Sequence, residues 1–134
     1  MADPTEKQKL GRLGEDIAQK YLENKRFSIV GQNYRKKYGE IDIIAQKGKI
    51  LHFIEVKTVS REIKEGNVSR ETDIYRPEDN IHPFKLRRLS RTIQAYLVEK
   101  YRNTEPEWVF DAITVKLDIS QKTAKIRFLE DIIL

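Results

Sequence analysis

Apolar residues recur along 7–24 at helical spacing: Leu10, Leu13, Ile17 and Tyr21, with Ala18 and Leu22 widening the stripe. That period predicts an amphipathic helix, and Asn24 with the pair Lys25-Arg26 suits its C-terminal end. Phe27 to Val30 is a short apolar run that reads as a strand, and Gly31-Gln32-Asn33 reads as a turn. Residues 34–38 fit either a second strand or a basic loop. Glu40–Ala45 and Ile50–Val56 have strand character, with Lys47-Gly48 as the tight turn between them. No period runs through 58–82, and so long an aperiodic stretch in a small domain predicts a functional or mobile loop. Pro83 opens a second helix that runs to about Tyr101 on a stripe of Leu86, Leu89, Ile93, Tyr96 and Leu97. Two further strands follow, near Trp108–Leu117 and Ala124–Ile133, joined by the turn-like Asp118–Lys122. The order α-β-β-β-α-β-β predicts a single α/β domain over residues 1–134, with one mixed central sheet flanked by helices.

Strand alternation sets the candidate chemistry. Glu40, Asp42 and Ile44 should share one face and Ile41, Ile43 and Ala45 the other, while Phe53, Glu55 and Lys57 should lie opposite His52, Ile54 and Val56. A turn at Lys47-Gly48 pairs Asp42 with Phe53 and leaves it diagonal to Glu55 on the same face, roughly 7–8 Å away. Two carboxylates that close repel unless something positive lies between them. A hard divalent cation does this well, because magnesium prefers carboxylate oxygens, waters and phosphate. Lys57 can reach the same water or phosphate oxygen. Spacing alone favours an ordinary surface ion-pair cluster.

Charge adds a partner class. The chain carries 26 Lys+Arg against 21 Asp+Glu, net +5. Residues 83–102 hold 6 basic groups and 1 acidic one, an excess equal to that of the whole chain. A segregated basic element is the footprint of a polyanion binder. On a helical wheel Arg87, Arg88 and Arg91 point away from the apolar stripe as a surface patch for backbone phosphates, while Lys85 sits on the flank nearer the sheet. Zero cysteines remove disulfides, thiol catalysis and cysteine-ligated metals. No apolar run approaches a membrane span and the N-terminus has no apolar leader segment, so the expected location is cytoplasmic. His52 and His82 are placed for packing and helix entry rather than for zinc. Trp108 and Phe110 are core candidates, and Tyr34, Tyr38 and Tyr75 could stack on bases. Gly11-x-x-Gly14 lacks the lysine of a P-loop, which excludes that route to nucleotide hydrolysis.

Asp42, Glu55, Val56 and Lys57 resemble the PD-(D/E)xK nuclease motif. The wider set is Gly11-x-x-Gly14-Glu15, Ala18 and Tyr21-Leu22, then Asn33-Tyr34-Arg35, Gly39 to Ala45, Phe53 to Lys57, Lys85 and Phe110-Asp111. In that order it resembles the YraN-like predicted endonucleases, which are similar to archaeal Holliday junction resolvases. The resemblance spans about Gly11 to Val115. It implies a restriction-endonuclease-like fold and a metal-dependent nuclease. Asp42 and Glu55 would bind Mg2+ or Mn2+ with help from Glu15, and Lys57 would orient the attacking water. DNA, branched or duplex, would be held by Lys85, Arg87, Arg88 and Arg91 together with Arg35 and Lys36. A homodimer would suit symmetric junction cutting. Relatives often carry arginines where this chain has Val59 and Val109. That loss of charge motivates the alternative, a non-catalytic nucleic-acid-binding module on a nuclease fold. A subunit whose basic helix meets an acidic protein is the third reading.

Overall fold

The computed structural model describes residues 3–61, 83–102 and 104–134. Helix α1 (Glu6–Asn24) leads into strands β1 (Ser28–Lys36), β2 (Gly39–Lys47) and β3 (Ile50–Arg61). Helix α2 (Pro83–Tyr101) precedes β4 (Glu107–Asp118) and β5 (Thr123–Leu129), so the predicted order holds. The strands form one mixed sheet in the order β1-β2-β3-β4-β5, with β3 and β4 parallel and every other neighbouring pair antiparallel. The parallel step is what the intervening α2 permits, since parallel neighbours need a crossover.

Each helix covers one face. Ala18 and Leu22 of α1 bury against Ile43, Ala45, Ile54, Ile113 and Val115. Leu89, Ile93, Tyr96 and Leu97 of α2 bury against Ile41, Ile44, Leu51, Phe53 and Phe110. A capping box starts α1: the Thr5 hydroxyl accepts from Gln8 N–H, and the Gln8 side chain accepts from Thr5 N–H. Two glycines set the helix distances. A Cβ on Gly14 would lie 1.8 Å from Thr58 Oγ1, and one on Gly39 2.6 Å from Thr92 Oγ1. Thr92 is buried in α2 and donates its hydroxyl proton to Arg88 O.

The sequence expectations change in several places. Gly31 to Asn33 is not a turn. β1 runs through it to Lys36, because the register shift between Ile29 and Gly31 and a positive φ at Asn33 bend the strand without ending it. The hairpin turn is Gly48-Lys49, with Gly48 at φ 61 and Lys47 paired with Ile50. Residues 58–61 are not loop but the end of β3, held by parallel pairing with β4 as far as Arg61 and Asp118. The rest of the expected mobile segment, 62–82, with Tyr75 and His82, lies outside the described residues. Leu13 is about half exposed, and the buried line of α1 runs through Gly14, Ala18 and Leu22 instead. Strict alternation also fails at Asp42, since Ile41 packs on the α2 side and Ile43 on the α1 side.

β5 ends at Leu129 rather than at Ile133, and the following residues fold over Asp111. The Asp111 carboxylate is fully buried; it meets His52 Nδ1 at 2.5 Å and accepts from Asp131 N–H at 2.7 Å. Ile132 N–H donates to Phe110 O. This explains Asp111 of the sequence motif as a fold anchor. Asp111→Ala strips both partners of a buried charge and is expected to cost about 3 kcal/mol in urea unfolding, with earlier proteolysis of the C-terminal residues.

Candidate functional site

Pairing between β2 and β3 stops at Ile43 and Ile54. Beyond that point β2 continues beside β1, with Arg35 opposite Glu40, while β3 continues beside β4. The sheet therefore forks, and backbone groups at a fork lose their ladder partners. Asp42 fills the gap: its Oδ2 accepts from Val56 N–H at 2.8 Å. The turn lies one residue later than expected, which shifts the pairing by two residues and leaves Asp42 and Glu55 as the first residues past the last β2–β3 pair, one on each arm of the fork.

The fork gathers acidic groups from several elements. Burial pushes the Asp42 carboxyl up to about 7, and the nearby charges of Glu15, Glu55 and Glu40 add to the rise against the Val56 hydrogen bond. Glu15, from α1, is also raised, first by burial and then by Glu40 and Asp16, with Arg12 opposing. Glu55 sends Oε1 to Lys85 Nζ of α2, while its Oε2 is buried without a hydrogen-bond partner. An unsatisfied buried carboxylate oxygen is costly, and a second carboxylate nearby adds like-charge repulsion. Among the described residues no three acidic or imidazole side chains converge as a closed metal site. A cation here would complete its shell with waters or substrate oxygens, as Mg2+ commonly does.

Two clefts meet at the fork. One, of ≈ 770 Å³, is lined by Asp42, Glu55, Lys57 and Lys85 together with Arg35, Lys36, Lys37 and Arg88. The other, of ≈ 950 Å³, opens on the α1 side along Lys7, Arg12, Glu15, Glu40, Asp42 and Lys57. The side chain of Lys57 is exposed and reaches both.

The structure thus brings together Asp42, Glu55, Lys57 and Lys85. Glu15 lines the α1-side cleft together with Asp42 and Glu40, and its charge acts on Asp42. With its amide oriented to satisfy both neighbours, Asn33 Nδ2 donates to Glu15 Oε1 and Glu40 Oε1, each at 3.0 Å. Asn33 was not singled out chemically from the sequence. Its signal was the Asn-Tyr-Arg triplet, and its φ of 49 is one that asparagine tolerates well. Arg35 pairs with Glu40 at 3.4 Å. Lys36 is tied to Glu99 of α2 and lies over the Tyr34 ring. Of the arginine patch, Arg87 stacks on Phe84 and Arg91 on Tyr38, at 4.7 and 4.4 Å. Arg88 lines both the groove it forms with Phe84, Arg87 and Arg91 and the cleft at the fork. No helix among the described residues is long and apolar enough to cross a membrane.

Fold and site together define an α/β protein whose forked sheet carries a carboxylate–lysine cluster in a basic cleft. The chain belongs to the uncharacterised protein family UPF0102, whose model matches residues 14–115. It is 35% identical over 118 residues to a UPF0102 protein of Campylobacter jejuni, covering 88% of this chain and 93% of that one. It is 42% identical over 93 residues to one of Campylobacter lari, covering 69% and 72%. A UPF0102 protein of Flavobacterium johnsoniae is 36% identical over 114 residues, covering 85% and 80%. The resemblance to the YraN-like family is thereby borne out.

Proposed function

We propose that this protein is a metal-dependent nuclease that hydrolyses phosphodiester bonds of DNA. The observation that carries the reading is the fork: Asp42 and Glu55 stand on its two arms and line one cleft, one with its carboxyl pushed up to about 7 and the other with a buried oxygen lacking any partner. Such a pair is poorly stable empty and well suited to a hard divalent cation. Asp42 and Glu55 would hold Mg2+ or Mn2+, with help from Glu15. That ion supplies charge neutralisation and a bound water of lowered pKa.

The chain's own residues do the rest. Lys57, on β3 two residues past Glu55, lines the same cleft as both carboxylates and would hold the attacking water or a phosphate oxygen. Asn33 keeps Glu15 and Glu40 oriented towards Asp42. Arg35, Lys85 and Arg88 line the same cleft and would hold the backbone phosphates without reading sequence.

The test is a panel of linear and branched DNAs incubated with Mg2+ or Mn2+, with and without chelator, beside Glu55→Gln. Cleavage that requires the cation and falls roughly 10²–10³-fold in the variant is expected. Gel shifts with no cleavage of any substrate would convert the reading to a binding module. Cleavage unchanged in Glu55→Gln would end the assignment.

A further inference from the structure

The contact between Lys85 and Glu55 joins the start of α2 to the carboxylate at the fork. Lys85 is the third residue of the helix that Pro83 opens. Its position is set from behind, because Leu89 is buried on the sheet and the absence of a side chain at Gly39 lets α2 approach as far as Thr92. The two partners differ in freedom. The Glu55 side chain is 16% exposed and the Lys85 side chain 45%. One end of the pair is fixed in the strand; the other is a point charge on a flexible stem that reaches into solvent. Only the lysine end of the pair is well solvated, and a doubly charged ion at the same carboxylate is attracted more strongly than a single ammonium charge.

We propose that Lys85 is a displaceable counter-cation: it neutralises Glu55 until a divalent ion binds between Asp42 and Glu55, and it is then released into the cleft as a phosphate ligand. This rests on the metal-dependent reading above. Among the described residues Lys85 is the only cation in ion-pair contact with Glu55. Arg88, one helical turn away, lines the same cleft without contacting that carboxylate. Lys85 and the metal therefore exclude each other at Glu55 Oε1, while the metal and a DNA phosphate both gain when Lys85 lets go. The consequence is positive coupling between metal and DNA, built from one exchangeable side chain.

The experiment measures Mn2+ binding by electron paramagnetic resonance on the full chain, without DNA, for wild type, Lys85→Met, Arg88→Met and Glu55→Gln. Lys85→Met keeps the aliphatic stem and removes the charge. It is expected to bind Mn2+ roughly 3- to 10-fold more tightly than wild type, with Arg88→Met changing affinity much less and Glu55→Gln losing it. In a second arm, Ca2+ is added to duplex DNA binding assays. The gain in DNA affinity on adding Ca2+ should be larger for wild type than for Lys85→Met. Equal tightening in Lys85→Met and Arg88→Met would show a general charge effect and overturn the proposal. So would unchanged Mn2+ affinity in Lys85→Met. If wild type binds no Mn2+, the metal-dependent reading falls and this inference falls with it. Binding lost only in Glu55→Gln, with Lys85→Met like wild type, removes the inference alone.

Discussion

Asp42→Asn is expected to yield a protein that melts at a higher temperature than wild type at pH 8 and, under the proposed nuclease function, cleaves DNA roughly 10²–10³-fold more slowly. The two effects share one cause. Asp42 lies at the fork among Glu15, Glu55 and Glu40, and its carboxyl is pushed from 3.8 up to about 7, chiefly by burial. Between those values the folded chain holds a proton that the unfolded chain has released. Stability therefore falls as pH rises through that window and is lowest above about 7. Each pKa unit corresponds to about 1.4 kcal/mol, which caps the penalty near 4 kcal/mol. Asn keeps an acceptor for Val56 N–H but a weaker one, so a net gain of about 1–3 kcal/mol is expected at pH 8. The gain should vanish near pH 4. Melting curves at the two pH values check it, and an Asn variant that melts lower than wild type at pH 8 would contradict it. The same titration predicts that wild-type metal affinity weakens as pH drops below about 7, because the ion must displace the proton on Asp42.

Gly14→Ala and Gly11→Ala should move stability in opposite directions although both lie in α1. Helix propensity alone favours alanine over glycine by up to about 1 kcal/mol at either position. At Gly11 nothing lies within 4 Å of the added methyl, so that gain should survive. At Gly14 the methyl would sit 1.8 Å from Thr58 Oγ1 and 2.8 Å from Thr58 Cβ and Cγ2. Thr58 is in a strand paired with β4, so neither partner gives way cheaply. Overpacking of this kind costs roughly 2–4 kcal/mol, and a fall of about 10 °C in Tm is expected for Gly14→Ala. A helix pushed off the sheet also carries Glu15 away from Asn33 and Glu40. Cleavage should fall even below the melting temperature. Equal Tm changes in the two variants would show that α1 does not depend on this contact.

The elements were readable because their causes are local. A 3.6-residue period marks α1 and α2, Pro83 marks the start of α2, and alternating Ile and Val residues mark the strands. Asp42, Glu55 and Lys57 were legible as a group because a short hairpin carries them on neighbouring strands. Where the structure differs, each difference has a particular cause. Placing the turn at Lys47-Gly48 instead of Gly48-Lys49 changed the partner of Asp42 without turning any side chain over, because that slip shifts the pairing by two residues. Splitting β1 at Gly31 to Asn33 treated turn-forming residues as a turn, where the sheet uses them for a bulge and a bend. Extending the loop back to residue 58 missed β3's pairing with β4, a long-range partner that no window of sequence contains.

The sequence by itself determined which elements form, their order, and the strand-borne acidic and basic residues that approach one another, since these follow from short-range periodicity and chain connectivity. Only the tertiary structure decided what surrounds them. It forks the sheet at Asp42, buries that carboxyl, seats Lys85 on Glu55 and joins Glu15 to Glu40 through Asn33. It also commits Asp111 to the fold through His52 and Asp131. Each of these depends on the distance and angle at which remote segments pack. Those are set by the summed contacts of two cores and by the missing side chains of Gly14 and Gly39.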